Sequence, residues 1–239
     1  MSDIVAFGSG YKGGTGKSVL SSLVGYTLAV NGRKVLLVDL GEYGSSTNLC
    51  LEEDPGPPYL SDFFWGKATW RDVIVESSYS SNLWIAPSSK EQGPIDAESL
   101  EYLLDNASKY VDYVILDLPS YPGTLLDPIV LLADIIVLVT NPDRLSILAV
   151  KNWISTRPFA KNNILKIPVL NKYHSLLHKW LDKMREEYGV VFPISFDPAL
   201  TFTFTERIKE AYSLISKRTR EEVMLLVQRI NKPLLKVTG

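Results

Sequence analysis

The segment Ser9–Ser18 reads SGYKGGTGKS and combines glycines, lysines and hydroxyl groups in a pattern that suits phosphate binding. Glycines let the backbone turn tightly, so that successive N–H groups can face one anion. The amino group of Lys17 could reach the outer phosphates of a nucleotide, and the Ser18 hydroxyl could ligate Mg²⁺. The alternative is a glycine-rich turn without a ligand. We favour a phosphate loop, because an apolar run precedes the segment and a helical pattern follows it.

The loop departs at one position from the common pattern GxxxxGK[ST]. Tyr11 stands where that pattern has its first glycine. What remains is KGGTGKS, in which a second lysine, Lys12, precedes the glycines. The strict pattern therefore fails by one residue, and the segment must be judged from its surroundings.

Three further polar residues follow apolar runs elsewhere in the chain. Asp39 and Asp117 each end such a run. Carboxylates beside a phosphate loop can hold the water shell of Mg²⁺. Asn171 follows another run, and its amide could both donate to and accept from an adenine edge. The alternatives are a helix cap or turn residue for each aspartate, and a plain turn residue for Asn171.

Short apolar runs rich in Val, Ile and Leu alternate with helical patterns. Runs with so little polar alternation are typical of strands buried on both faces of a parallel sheet. The predicted strands are 4–8, 34–39, 83–86, 113–117, 135–140, 165–170 and 190–194, and the predicted helices are 18–31, 95–109, 124–132, 143–157 and 174–188. This alternation predicts an α/β fold, a doubly wound, mostly parallel sheet flanked by helices in three α/β/α layers. Such sheets bind ligands at the carboxyl ends of their strands.

Two segments carry no nucleotide-binding pattern. Prolines interrupt residues 50–80, which we predict to form two short helices, 60–65 and 70–75, rich in aromatic side chains. We favour a core role for these rings over a partner-binding patch. The tail 199–239 is predicted to form two helices whose apolar stripe packs on the core. We expect one domain over 1–239, with the tail as its output surface.

The net charge of the chain is −2, which taken alone argues against a nucleic-acid partner. The charge is uneven, however. Residues 205–239 hold eight basic and four acidic side chains, a net charge of +4, so residues 1–204 carry −6. The cluster Lys217, Arg218 and Arg220 could bind DNA phosphates, and a solvated helix face is the alternative.

Several functional classes are excluded by composition. The chain has one cysteine, which rules out an intramolecular disulfide and a cysteine-based zinc site. The first residues lack a signal-peptide pattern, and no apolar stretch reaches the length of a membrane span. We therefore expect a cytoplasmic protein.

KGGTGKS resembles the deviant Walker A motif of the ParA/MinD family of P-loop ATPases, and other segments resemble that family in the same order. VLLVDL at 35–40 is similar to its second strand, which ends where switch I begins. YVILDLP at 113–119 is similar to its Walker B strand, and ADIIVLVTNPD at 133–143 to the strand that follows. VLNKY at 169–173 and FPISFD at 192–197 are similar to its two base-binding segments.

The resemblance implies an ATPase that binds ATP with Mg²⁺ and forms a nucleotide-sandwich homodimer. It implies catalytic roles for Lys17, Asp39 and Lys12, of which Lys12 would reach the phosphates held by the other subunit. It implies a metal site formed by Ser18, Asp39 and Asp117. The nucleotide-binding residues that it implies are Lys12, Gly13, Gly14, Thr15, Gly16, Lys17, Ser18, Val19, Asn171 and Pro193.

One position departs from the family pattern. Switch I of the family commonly reads Asp-x-Asp, and its second aspartate positions the attacking water. Gly41 stands at that position here. We therefore expect good nucleotide binding with slow or partner-dependent hydrolysis. Glu42 could substitute if the loop shifted by one residue, which Gly41 would permit.

The resemblance leaves two outputs open. A ParA-like protein would bind DNA non-specifically as an ATP dimer and partition a plasmid or chromosome together with a partner protein, on the nucleoid. A MinD-like protein would bind the membrane peripherally through residues 232–239 and position a division or surface structure. So few apolar residues make a weak anchor, and we favour DNA partition. A small-molecule enzyme of the dethiobiotin synthetase type is a third alternative.

Overall fold

The computed structural model describes residues 2–41, 44–89, 95–120, 127–157, 163–201 and 207–231. Within these ranges eight strands form one sheet. The strands are β1 (Asp3–Gly8), β2 (Val35–Asp39), β3 (Val75–Ser77), β4 (Ser80–Ala86), β5 (Tyr113–Asp117), β6 (Ile135–Thr140), β7 (Leu165–Tyr173) and β8 (Phe192–Ser195). Their order is β3-β4-β2-β5-β1-β6-β7-β8, and β3 alone among them runs antiparallel to its neighbour. The predicted mostly parallel sheet is confirmed.

Helices cover both faces of this sheet. They are α1 (Lys17–Val30), α2 (Ser45–Cys50), α3 (Leu60–Phe64), α4 (Ala97–Ala107), α5 (Asp127–Leu131), α6 (Arg144–Thr156), α7 (His178–Tyr188), α8 (Pro198–Thr201), α9 (Ile208–Leu214) and α10 (Lys217–Asn231). Successive side chains of a strand point to opposite faces. Val5 and Phe7 accordingly pack with α1, α9 and α10, whereas Ala6 packs with α4, α5 and α6. Two apolar faces explain why these strands show no polar alternation.

The strand register brings the predicted chemistry to one edge of the sheet. Asp117 lies opposite Phe7 of β1 and opposite Asp39 of β2. The loop that leaves β1 after Gly8 therefore begins beside Asp117, with Asp39 one strand further along the sheet. This edge is formed by the carboxyl ends of the parallel strands, where ligands of such folds bind.

Residues 50–80 differ from the sequence prediction. The helix α3 forms as expected, but 70–74 forms hydrogen-bonded turns and a strand begins at Val75. The predicted helix at 70–75 is wrong, because Val75 pairs with Ile85 at the sheet edge. The core role predicted for the aromatic side chains holds for Phe63, which is buried, whereas Trp65 is 48% exposed.

The tail forms α8, α9 and α10, where two helices were predicted. The predicted stripe of Val223, Leu226, Val227, Ile230 and Leu234 is buried against the core at its first four members, and Leu234 lies outside the described residues. Residues 202–206 and 232–239, including the predicted membrane anchor, lie outside the described ranges. Among the helices that are described, none combines the length and apolar character needed to cross a bilayer.

Candidate nucleotide-binding site

The phosphate loop connects β1 to α1 and is shaped by its glycines. Gly10, Gly14 and Gly16 have φ angles of 62°, 72° and 88°, in the left-handed region that favours glycine. At Gly10 a Cβ atom would lie 2.7 Å from the carbonyl oxygen of Ala149, and at Gly16 it would lie 2.4 Å from Nδ2 of Asn171. The path of this backbone therefore requires glycine at both positions.

Side chains from beyond the loop hold it in place. Nδ2 of Asn171 donates to the carbonyl oxygen of Thr15 at 2.8 Å. Nζ of Lys172 and Nδ2 of Asn141 both donate to the carbonyl oxygen of Gly14, at 2.9 and 3.3 Å. These bonds engage carbonyl groups of the loop, whereas a bound anion would engage its N–H groups.

Neither Lys172 nor Asn141 is predicted from the sequence to support the loop. Lys172 has a φ of 54° and is the one described residue other than glycine in the left-handed region. This conformation accompanies the contact of its amino group with the loop. The one signal for Lys172 in the sequence is its position directly after Asn171, a predicted base-binding residue.

The two lysines of the loop have different surroundings. Lys17 is buried at the start of α1, and its Nζ lies 2.5 Å from Oγ of Ser120. Lys12 is partly exposed, and its carbonyl oxygen accepts from the Ser9 hydroxyl at 2.7 Å. Within the described residues, the amino group of Lys12 makes no hydrogen bond or ion pair. Lys17 is thus built into the site, and Lys12 is available to a group outside it.

A cavity of about 300 Å³ opens over the loop. It joins the loop to α2 and to the segment that follows β5. Its lining residues are Gly13, Gly14, Gly16, Lys17, Ser18, Val19, Gly41, Ser45, Leu49, Leu118, Pro119 and Ser120. Most of the predicted nucleotide-binding loop residues therefore face one cavity. Lys12 and Thr15 are not among them.

Asp39 and Asp117 are buried side by side at the ends of β2 and β5. Asp39 accepts hydrogen bonds from the backbone N–H and the hydroxyl of Thr47, at 2.8 and 2.7 Å, and from the N–H of Gly41 at 3.0 Å. Asp117 accepts from the hydroxyl of Ser46. Two adjacent residues of α2, Ser46 and Thr47, therefore hydrogen-bond to the two carboxylates.

The environment of the pair favours protonation in the absence of a cation. Burial, followed by the neighbouring charge of Asp117, raises the pKa of Asp39 from 3.8 to about 7. Burial also raises the pKa of Asp117, although hydrogen bonding by Ser46 and the charge of Lys17 act in the opposite direction. A bound cation would relieve the repulsion between the two carboxylates.

The oxygen donors present fit Mg²⁺. Oδ1 of Asp117 is buried without a hydrogen-bond partner in the described part of the chain, and Ser18 lines the cavity. Mg²⁺ takes such oxygens and keeps several waters, for which the cavity has room. Ser18 and Asp117 could therefore hold the ion. Both oxygens of Asp39 are engaged by Thr47 and Gly41, so its predicted metal role would act through water.

Gly41 lies in contact with the acid pair. A Cβ atom at this position would lie 3.1 Å from Oδ1 of Asp39 and 3.6 Å from Oδ2 of Asp117. Gly41, which stands where the family pattern has its water-orienting aspartate, is therefore close to both Asp39 and Asp117. Glu42 and Tyr43 lie outside the described residues, so the proposed substitution by Glu42 stays a prediction.

A second cavity, of about 150 Å³, lies between the loop, the end of β7 and the segment after β8. Asn171 lines it, as expected of a base-binding residue, although one N–H of its amide already bonds to Thr15. Pro193 is not among the described residues that line this cavity. The lining from this part of the chain begins at Ser195, because β8 continues to that residue.

Two residues that line the second cavity, Ser195 and Asp197, are hydrogen-bonded to α10. Glu222 accepts from the backbone N–H of Ser195 at 2.6 Å and from its hydroxyl at 2.8 Å. Asp197 accepts from the N–H of Ser216 at 2.9 Å and from the hydroxyl of Thr219 at 2.8 Å. These contacts, which the sequence did not reveal, connect the predicted base site to the C-terminal helices.

The predicted DNA-binding cluster at the start of α10 is paired internally. Lys217 and Arg218 each contact the glutamate four residues later, at 3.8 and 3.0 Å. Arg220 donates to the carbonyl oxygen of Tyr212 at 2.8 Å and lies over its ring. The cluster therefore offers less unpaired positive charge than its sequence suggests, and DNA binding by it stays a prediction.

Comparison with known proteins places this geometry in a family. Residues 2–167 match a protein-family model described as an AAA domain. An uncharacterised ATP-binding protein of Methanocaldococcus jannaschii is 30% identical over 163 residues, covering 65% of this chain and 61% of that protein. The septum site-determining protein MinD of Buchnera aphidicola is 27% identical over 147 residues, covering 60% and 54%. The chain belongs to the ParA/MinD family of P-loop ATPases.

The fold of this ParA/MinD-family chain agrees with a solved relative. It matches the cell division ATPase MinD of Pyrococcus furiosus with a TM-score of 0.79 and 24% identity, over 96% of this chain and 98% of that one. A likeness at this identity shows a shared fold. The chain spans only 61% and 54% of the two curated relatives named above.

Proposed function

We propose that this protein is a nucleotide-operated switch that binds ATP with Mg²⁺, forms a homodimer in that state and hydrolyses ATP slowly. The observation that carries the proposal is the cavity over the phosphate loop, which Lys17 and Ser18 line and beside which the paired aspartates lie. Helix α1 begins at the loop, so its dipole adds to the attraction for phosphate.

Each loop residue has a role that its surroundings support. Lys17 binds the outer phosphates, and the N–H groups of the glycine-rich loop bind the inner ones. Ser18 and Asp117 would hold Mg²⁺, which would supply positive charge that offsets the charge of the phosphates. The amino group of Lys12 makes no hydrogen bond or ion pair with the described residues of its own subunit. It binds a phosphate held by the other subunit, as the family resemblance implies. Gly41 provides no carboxylate for the attacking water, which is why hydrolysis is expected to be slow.

For the output we propose ATP-dependent, non-specific DNA binding that serves DNA partition with a partner protein. The support is the basic tail and its connection to the base cavity, since Ser195 and Asp197 line that cavity and bond to α10. A nucleotide that moves this segment would move the helix that carries Arg218 and Arg220. A dimer would then present two copies of this basic helix to the DNA, which would strengthen an interaction that is weak for one copy.

A membrane-positioning role is the second candidate, because the curated relative from Buchnera aphidicola is a septum site-determining MinD. Its anchor would be the segment 232–239, in which the basic residues Lys232 and Lys236 are mixed with apolar side chains. Both candidates use the same ATP dimer and differ only in the surface that the tail contacts.

Cosedimentation of the full chain separates the two outputs. We expect plasmid DNA to carry the protein into the pellet only with ATP and Mg²⁺, and acidic phospholipid vesicles to leave it in solution. Salt should weaken the DNA binding steeply. Vesicle binding alone would replace the DNA proposal with the membrane role. Binding to neither, together with a persistent monomer in ATP, would contradict the switch itself and favour a small-molecule enzyme.

Two variants test the surface. Arg218→Ala with Arg220→Ala should abolish pelleting with DNA while ATP binding persists. The matched control removes the exposed cations Lys179 and Lys183, which lie over the ring of Trp180 on α7. Equal loss of DNA binding in both variants would mean that general charge, and not α10, carries the interaction. Circular dichroism must first show that each variant is folded.

A further inference from the structure

A cavity of about 390 Å³ lies at the opposite end of the sheet from the phosphate loop. Its lining includes Lys34 and Leu36, at the amino end of β2, and Val111, just before β5. Lys34 precedes Asp39 by five residues, which at 3.3 Å per residue is about 16 Å along the strand. The cavity is therefore separate from the nucleotide site, and a dimer formed across the carboxyl ends would leave it accessible.

Aromatic rings form its walls. Trp70 and Tyr110 stack with ring centroids 6.2 Å apart and an interplanar angle of 29°, and Trp84 contributes a third ring from β4. Tyr110 is 59% exposed, so the cavity opens to solvent. Its volume falls in the range of small-molecule sites, which are mostly apolar with a few polar groups. Such walls favour a planar, apolar ligand.

Two cations at the cavity have no acidic partner in the described part of the chain. The guanidinium of Arg71 lies 4.9 Å from the ring centroid of Trp70, and it makes no ion pair. The ammonium of Lys34 likewise has none. Asp112, the neighbouring acid, accepts the backbone N–H of Lys34 at 2.8 Å. Stacking on Trp70 orients the guanidinium while leaving its edge free for an anion.

We propose that this cavity binds a planar aromatic molecule that carries a carboxylate. The ring system packs against Trp70, Trp84 and Tyr110, and the carboxylate pairs with Arg71 and Lys34. The arrangement combines apolar burial with charge-assisted hydrogen bonds, the two contributions that a site of this size needs. The proposal does not depend on the nucleotide-switch function.

The test uses three probes with one ring system, namely 2-naphthoate, 2-naphthylmethanol and 2-naphthylmethylammonium. Their binding to the full chain is measured by calorimetry, with and without saturating ATP and Mg²⁺. We expect 2-naphthoate to bind about tenfold more tightly than the alcohol, as a charge-assisted hydrogen bond contributes. The ammonium compound should bind most weakly. Nucleotide should not displace any probe.

Substitutions with an internal control complete the test. Arg71→Gln should reduce the preference for 2-naphthoate to the part that Lys34 supports and leave binding of the alcohol unchanged, whereas Trp70→Ala should weaken the binding of all three probes. Lys67 lies over the exposed ring of Trp65 at 4.5 Å, a similar pair that does not line this cavity. Lys67→Gln and Trp65→Ala should therefore have no effect.

Several results would overturn the proposal. These are equal affinity for the three probes, no saturable binding of 2-naphthoate, displacement of the probe by ATP, or an equal effect of Lys67→Gln and Arg71→Gln. Failure of ATP-dependent dimerisation would contradict the switch proposal without affecting this one. The two proposals can thus be distinguished by their own experiments.

Discussion

Position 41 has no side chain, and it adjoins the two buried carboxylates at the ends of β2 and β5. We predict that Gly41→Asp raises ATP turnover by about tenfold or more, because a carboxylate there can orient the attacking water. Gly41→Asn has nearly the same size without the charge, and should not raise turnover. The measurement is steady-state phosphate release at saturating ATP and Mg²⁺.

The same substitution has a structural consequence that serves as a check. The new Cβ atom would lie 3.1 Å from Oδ1 of Asp39, so both variants should be less stable than the native protein. The aspartate variant should be the less stable of the two above pH 7 without Mg²⁺, because it adds a third negative charge. Native turnover that already equals that of Gly41→Asp would show that switch I is interpreted incorrectly.

The raised pKa of Asp39 predicts that the free energy of unfolding depends on pH. Burial raises the pKa of Asp39 from 3.8 to about 7. Between about pH 4 and 7 the folded protein therefore keeps a proton that the unfolded chain has already released. The free energy of unfolding should therefore fall as pH rises through this window, with a contribution of up to about 1.4 kcal/mol per pH unit, and level off above it. Asp39→Asn cannot titrate and should lose this contribution.

Urea denaturation of the nucleotide-free protein in EDTA measures the effect in both proteins across the same pH range. Other carboxylates, Asp117 among them, titrate in parallel, so the informative quantity is the difference in slope. Identical slopes would contradict the raised pKa. Added Mg²⁺ and ATP should reduce the difference, because a cation beside Asp117 stabilises the ionised forms.

At the scale of elements, one glutamate connects α10 to the second cavity. Glu222 bonds to both the N–H and the hydroxyl of Ser195 and is largely buried, whereas its neighbour Glu221 is exposed and contacts Lys217 at 3.8 Å. We predict that Glu222→Ala lowers the free energy of unfolding by about 1–3 kcal/mol and weakens ATP binding. Glu221→Ala should change stability by less than about 0.5 kcal/mol.

Thermal denaturation and fluorescent-nucleotide titration measure these two effects. Loss of stability without loss of nucleotide affinity in Glu222→Ala would show that α10 supports the fold but not the base cavity. Equal effects of the two substitutions would contradict the assigned contact altogether. The pair is informative because the two residues are adjacent on one helix and differ mainly in burial.

The sequence predicted most strands because their burial on two faces leaves a continuous apolar run. It missed β3, whose three residues VES carry no such signal and are ordered by pairing with β4. It missed α2 for a similar reason, since SSTNLC has no helical apolar period and is fixed by its bonds to the two aspartates. Elements that depend on a distant partner leave little local trace.

The candidate site divides in the same way. Asp39 and Asp117 were predictable because strand ends of a parallel sheet meet at one edge. Lys172 was not, because its contact with Gly14 joins residues 158 positions apart and depends on an unusual backbone angle. Local pattern thus identifies the candidate phosphate-binding groups, but not the side chains that hold the loop in shape.

At the scale of the whole molecule, dimerisation is the central expectation. We predict that the native protein becomes a dimer in ATP and Mg²⁺, and that Lys12→Ala stays monomeric while still binding ATP, because it lacks the contact across the interface. Light scattering after gel filtration measures the mass directly. Lys109→Ala, an exposed lysine near the amino end of β5, is the matched control. A dimer that persists in Lys12→Ala would refute this role.

The two ends of the sheet also separate the two proposed ligands. The carboxyl ends carry the phosphate loop and the acid pair, and the amino ends carry the aromatic cavity. The central strands between them are fully buried. A ligand at one end would therefore reach the other only through a rigid core, which is why we expect the two sites to bind independently.

The central place of β1 in the sheet has a consequence for how the protein is made. Its partners are β5 and β6, with Asp3 opposite Tyr113 and Val5 opposite Ile135. During translation one edge of β1 therefore lacks its partner until Asp117 has been added, and the other until Thr140, which at about 5–20 residues per second takes on the order of ten seconds. An apolar strand with an open edge is prone to aggregation for that time. The nascent chain should consequently depend on chaperones until the nucleotide site closes, late in synthesis.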